Sequence, residues 1–145
     1  MKIIVLEGKS RRGKTSTMWI LRDKLINGGG HSVPQSFILK GSKMNFDDFE
    51  ETIFYNNQQV TLISMGDYSN ILAQRIHHYF NNGSQVLICT LSNGYKNTPS
   101  LKINARNAIN TYSPLLPFYQ KTVDFNSSSQ VRTNEADAIV LQGLI

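Results

Sequence analysis

The sequence predicts an α/β fold: a three-layer α/β/α sandwich on a mainly parallel sheet, in one domain over residues 1–145. Two patterns predict it. Apolar runs of strand length alternate with stretches of helical period, and the first run passes through a glycine-containing loop straight into an amphipathic helix. Hydrophobic residues make up 40% and charged residues 17% of the 145 positions, a globular composition with enough apolar material for one core. No apolar run approaches the roughly 18–20 residues needed to cross a bilayer, which excludes a transmembrane helix.

Ile3 to Leu6 is continuously apolar, as expected of a strand buried on both faces. Met18, Leu21 and Leu25 then recur at helical spacing between Lys14 and Asn27, and Gly28-Gly29-Gly30 ends the pattern. Ser36 to Lys40 reads as a second strand closed by Gly41. Between Asp47 and Tyr55 the spacing of Phe46, Phe49 and Ile53 suits a helix. The β-formers Thr52 to Tyr55, running into Asn56-Asn57 and then Val60 to Ile63, favour a hairpin. Val60 to Ser64 is then a core strand.

Ser69 to Asn82 returns to helical period through Leu72, Ile76, Tyr79 and Phe80, with Gly83 as terminator, and Gln85 to Leu91 is another buried strand. Thr98 is placed to cap a helix with Pro99 at its first position, running to about Ile109. A last strand is expected within Pro117 to Asp124, a loop at Asn126 to Ser129, and a terminal helix capped by Thr133 or Asn134 and reaching Leu141. In such a fold ligands bind beyond the carboxyl ends of the strands, an edge that would collect Glu7 to Thr15, Ser64 to Tyr68 and Leu91 to Lys96.

Gly8-Lys9-Ser10-Arg11-Arg12-Gly13-Lys14-Thr15 fits G-x-x-x-x-G-K-[ST] without a gap, between a strand and a helix where the chemistry needs it. The bare pattern occurs by chance in on the order of one per cent of chains this long. Gly8 and Gly13 allow the backbone to turn its N–H groups inward, and with the helix N-terminus they form a concave anion site continuing to Ser16. Lys14 would reach the β and γ phosphates as a point charge, and the Thr15 hydroxyl would hold Mg²⁺.

On these residues the chain resembles the P-loop NTPase superfamily. The resemblance implies a P-loop NTPase fold, a nucleoside triphosphate ligand, and an acidic residue that binds magnesium through water at the end of another core strand. Asp67, after Val60 to Met65, is the residue to which that role falls, beside its alternative as a helix cap. Lys14 and Asp67 are then the catalytic pair. Ser64 to Tyr68, Val86 to Cys89 and Asn134-Glu135-Ala136 are also similar to a group of small bacterial and phage P-loop proteins. Lys9 stands where the partitioning and nitrogenase-type ATPases carry a signature lysine, although Ser10-Arg11 replaces their paired glycines.

The Asn-Lys-x-Asp motif that reads guanine in Ras-like GTPases has no counterpart after Leu91, so ATP is the expected nucleotide. The expected reaction is Mg²⁺-dependent transfer of the γ-phosphoryl group to water or to a small acceptor, with a nucleotide-gated binding module of little turnover as the alternative. Lys96, Lys102 and Arg106 are candidates for a basic lid or for a solvated helix face. Glu7 could serve as a base or bond the loop backbone. Trp19, Phe46, Phe49, Phe54 and Tyr55 could stack a base but fit core packing better.

Fifteen Lys and Arg against ten Asp and Glu give +5, which favours anionic partners, nucleic acid among them, without selecting one. His77 and His78 point about 100° apart on a helix and cannot chelate one metal together. The single Cys89, inside an apolar run, is expected to be a buried free thiol in a reducing compartment. An acid and a glycine-basic segment follow the first apolar run where a signal peptide would show small residues, so the expected location is cytoplasmic.

Overall fold

A computed structural model describes residues 1–9, 11–40, 48–65, 69–92, 99–113, 118–121 and 127–145. Its strands are β1 (Lys2–Gly8), β2 (His31–Ser32), β3 (Ile38–Lys40), β4 (Asp48–Tyr55), β5 (Gln58–Ile63), β6 (Val86–Ser92) and β7 (Phe118–Gln120). Its helices are α1 (Lys14–Asn27), α2 (Ser69–Asn81), α3 (Pro99–Tyr112) and α4 (Ser127–Gly143).

These strands form one seven-stranded sheet in the order β2-β4-β5-β6-β1-β7, with β3 also on β4. β5, β6, β1 and β7 run parallel, but β4 is antiparallel to β5, and β2 and β3 are antiparallel to β4. This corrects the expected three-layer, mainly parallel P-loop sandwich. The described residues make an α/β fold on a mixed sheet with four helices.

The physical cause lies in the turn after β4. Asn56 and Asn57 both adopt positive φ, 49° and 61°, which closes a two-residue hairpin and leaves no room for a crossover helix. The sequence signal for this hairpin, the Asn-Asn pair between β-rich runs, was therefore correct and incompatible with a mainly parallel sheet.

Alternation along the strands builds a core on each face. Ile4 and Leu6 pack with Met18, Leu21 and Leu25 of α1 and with Ala138 and Leu141 of α4. Ile3 and Val5 pack on the other side with Leu72 and Ile76 of α2 and Ala105, Ala108 and Ile109 of α3. Two adjacent acids of β4 are fully buried: Glu50 meets Arg75 of α2 at 3.1 Å, and Glu51 meets Arg22 of α1 at 2.6 Å. Cys89 is buried and unpaired in a disulfide, as its apolar neighbours implied, and burial pushes its thiol up to about 12.

Two further elements differ from expectation. His31–Ser32 adds a short edge strand that no alternation announced. The terminal helix begins at Ser127, so the expected loop at Asn126 to Ser129 is replaced by helix from Ser127 onward, and neither Thr133 nor Asn134 is a cap. Inside the helix, Thr133 Oγ1 donates to the Gln130 carbonyl and Gln130 Nε2 to Asn134 Oδ1, local bonds that hold polar residues in helical conformation. Among the described residues no helix is long and apolar enough to cross a membrane.

Candidate functional site

β1 delivers the chain to the carboxyl edge of its parallel neighbours, where Gly8 pairs with Ser92, and α1 begins at Lys14. Between them the loop needs a residue that turns left-handed. Gly13 supplies it with φ +80°, and a Cβ there would lie 2.5 Å from Asn134 Oδ1 of α4. Gly8 is required by contact instead, since a Cβ on it would lie 2.9 Å from Lys121 Cβ. Arg11 also takes a positive φ, 57°, without being glycine.

Lys14 is buried and folds back over the loop, its Nζ donating to the Gly8 carbonyl at 3.0 Å and to the Lys9 carbonyl at 2.8 Å. The ammonium thereby neutralises the carbonyl dipoles that a tight turn brings together. In front of it lies a cavity of about 280 Å³ lined by Arg11, Arg12, Gly13, Lys14, Thr15, Ser16, Asp48 and Ser64. Three cationic side chains against one carboxylate make its potential positive, and the first turn of α1 adds backbone N–H groups with no intrahelical acceptor. A surface of that charge is chemically suited to an anion.

Asp48 and Ser64 form the wall opposite the loop. Asp48 Oδ1 accepts from Thr15 Oγ1 at 2.9 Å and from Ser64 Oγ at 3.1 Å. Ser64, just beyond β5, is itself held firmly: the Phe49 N–H donates to its Oγ at 2.8 Å, its own N–H donates to Phe49 O at 2.9 Å, and Thr90 Oγ1 donates to its carbonyl at 2.6 Å.

Behind the loop, Arg106 of α3 pairs with the buried Glu7 carboxylate, and the Lys121 N–H donates to the Glu7 carbonyl at 2.7 Å. Arg106 thus anchors the root of the loop, and Glu7 is held by it. Lys121 and Asp137 form a buried ion pair at 2.6 Å, with Tyr119 Oη donating to the same carboxylate at 3.0 Å. Asn134, one turn earlier on α4, accepts from Thr17 Oγ1 at 3.5 Å.

The structure therefore gathers Gly8, Gly13, Lys14, Thr15 and Ser16 of the expected phosphate loop, with Arg11 and Arg12 on the cavity wall. Lys9 contributes its carbonyl, and its side chain is exposed. Ser10, Phe46, Asp67, Lys96 and Thr98 lie outside the described residues, and with them the expected water-mediated magnesium contact of Asp67 and the expected cap at Thr98. Phe49 is fully buried, with Trp19 against it at a ring separation of 4.4 Å, so both serve packing. His77 meets Tyr112 and His78 meets Asn82, each away from the loop.

Asp48 is the residue that sequence reasoning missed. The hairpin contained the signal: a strand antiparallel to β5 starts where β5 ends, so the first residue of β4 must arrive at the carboxyl edge beside Ser64. Comparison with family models, curated proteins and solved structures found no match to this chain.

Proposed function

We propose that this chain binds the phosphate chain of a nucleoside triphosphate, with ATP the nucleotide to try first, as its Mg²⁺ complex, and passes the γ-phosphoryl group to water or a small acceptor. One observation carries the reading. The sequence carries the complete Gly8 to Thr15 motif, and Arg11 to Thr15 line a positively charged cavity at the N-terminus of α1, with Lys14 folded back on the Gly8 and Lys9 carbonyls.

The residues present suit a hard cation with phosphate: hydroxyls of Thr15, Ser16 and Ser64 and the Asp48 carboxylate are all oxygen donors. When bound, such a cation neutralises charge on the β and γ oxygens. Thr15 would hold it. Lys14, whose Nζ rests on the Gly8 and Lys9 carbonyls, and the amides of the loop would stabilise negative charge that grows on the phosphate oxygens. Arg11 and Arg12 add guanidinium donors that match phosphate geometry. Arg106 and Glu7 keep the loop root fixed while this happens.

The test is thermal unfolding with and without Mg²⁺ across a panel of nucleoside di- and triphosphates. A ligand at a hundred times its Kd adds about 2.7 kcal/mol, roughly 10 °C in Tm for a domain this size. The shift is expected to need Mg²⁺ and to vanish in Lys14→Ala, each variant measured against its own ligand-free Tm. Unchanged triphosphate affinity in Lys14→Ala, or no shift with any nucleotide in the natural chain, rejects the reading.

A further inference from the structure

The hydroxyls around Asp48 have a consequence for the cation that follows from counting protons and lone pairs. A hydroxyl has one proton and two lone pairs. Thr15 spends its proton on Asp48 Oδ1, which leaves its lone pairs directed away from the carboxylate. Ser64 spends its proton on the same oxygen and one lone pair on the Phe49 N–H, so one lone pair remains. Both residues line the cavity in front of Lys14. Two hydroxyl oxygens at 2.9 and 3.1 Å from one acceptor lie at most 6.0 Å apart, and both protons are turned to the carboxylate. What they offer to the cavity is oxygen electron density.

Ser64 is also a well-prepared ligand. It is 3% exposed, and three bonds to Phe49 and Thr90 fix its main chain and its Oγ before anything binds. Preorganisation of this kind removes the ordering cost that an exposed serine would pay on ligation.

Resting on the phosphate-loop reading, we propose that Ser64 and Thr15 are together the protein ligands of the triphosphate-bound divalent cation. Asp48 is a positioning residue that aims both hydroxyls and adds a negative charge just outside the coordination sphere. It joins the loop to the β4–β5 hairpin, so the cation site draws on two separate parts of the sheet. Carboxylates that orient metal ligands in this way are worth about 10–100-fold in metal affinity.

The experiment follows ATP binding by calorimetry while Mg²⁺ or Cd²⁺ is titrated, in the natural chain and in Asp48→Ala, Asp48→Asn, Ser64→Ala and Ser64→Cys. Asp48→Ala is expected to raise the Mg²⁺ concentration for half-maximal binding about 10–100-fold. Asp48→Asn keeps an acceptor oxygen and is expected to recover part of that loss. Ser64→Cys puts a thiol of nearly the same shape at the ligand position, and the chain's other cysteine, Cys89, is buried. That variant is expected to lose Mg²⁺ affinity and to gain for Cd²⁺, because a soft thiolate prefers the softer ion.

Normal ATP binding with an unchanged Mg²⁺ requirement in Asp48→Ala and Ser64→Ala overturns the proposal and leaves the phosphate-loop reading standing. Lost Mg²⁺ affinity without a Cd²⁺ gain in Ser64→Cys overturns Ser64 as a ligand. Absence of Mg²⁺-dependent ATP binding in the natural chain overturns the parent reading and this proposal with it.

Discussion

Alanine at Gly13 challenges the loop at its tightest point, and the cost has two separable parts. The φ of +80° is left-handed, and holding an L-residue there costs about 1–2 kcal/mol. The new Cβ would also sit 2.5 Å from Asn134 Oδ1, a side chain only 6% exposed and held by Gln130 at 2.8 Å. With so little freedom to withdraw, that overlap behaves as overpacking, about 1–3 kcal/mol. The combined loss of about 2–5 kcal/mol is a large share of the 5–15 kcal/mol that stabilises an ordinary domain. Urea unfolding should register it directly, and Tm should fall by roughly 8–20 °C. The double variant Gly13→Ala/Asn134→Ala removes the amide and should return the steric part, so that a double-mutant cycle gives a coupling of about 1–3 kcal/mol and leaves the backbone part behind. A loss below about 0.5 kcal/mol in Gly13→Ala, or no coupling in the cycle, would refute the reasoning.

Two further outcomes follow from buried ionisable groups. Lys121 and Asp137 are an ion pair with side chains 0% and 1% exposed, so Lys121→Met should lose about 3–5 kcal/mol in urea unfolding, and the double variant Lys121→Met/Asp137→Leu should recover most of it; a single-variant loss below about 1 kcal/mol would contradict the burial argument. Cys89 rises from 9.0 to about 12 by burial, and Tyr79 from 10.0 to about 12, chiefly by burial and secondarily by the Glu50 charge. Both acids keep their protons longer in the folded chain than in the unfolded one. Their contribution is therefore complete below about pH 9 and is lost as pH rises toward 12, at up to about 1.4 kcal/mol per pH unit for each group. Unfolding free energies between pH 8 and 11 should fall accordingly, with the first part of the fall, from pH 9 to 10, absent in Cys89→Ala; an unaltered slope in that variant would assign the loss elsewhere.

The strand, glycine-bounded loop and helix around Gly8 to Thr15 were legible because their signals are local. Gly8, Gly13, Lys14 and Thr15 are spaced by the turn they make, and the flanking strand and helix are announced by their own periodicities. The sheet was less legible because strand direction is a property of pairs. Val60 to Ile63 is apolar enough for a parallel core strand, which it is beside β6, yet its other neighbour runs the opposite way. The Asn56-Asn57 turn between two β-rich runs carried that information. Asp48 was missed for the same reason, since an acid at the start of a strand acquires meaning only when the partner's direction is known. Asn134, read as a helix cap, turned out to be an interior residue whose side chain sits against Gly13. That contact spans the chain and leaves no local trace.

The adjacent acids of β4 bear on how the two faces of the sheet are coupled. Glu50 and Glu51 leave the strand on opposite faces, one toward Arg75 of α2 and the other toward Arg22 of α1. Burying either carboxylate without its arginine carries a penalty of several kcal/mol. Each of the two helices is therefore tied to the same strand by a charge that the other helix cannot satisfy. Loosening α1 leaves Glu51 buried without Arg22, and loosening α2 leaves Glu50 buried without Arg75, so the antiparallel half of the sheet links the stability of one face to that of the other.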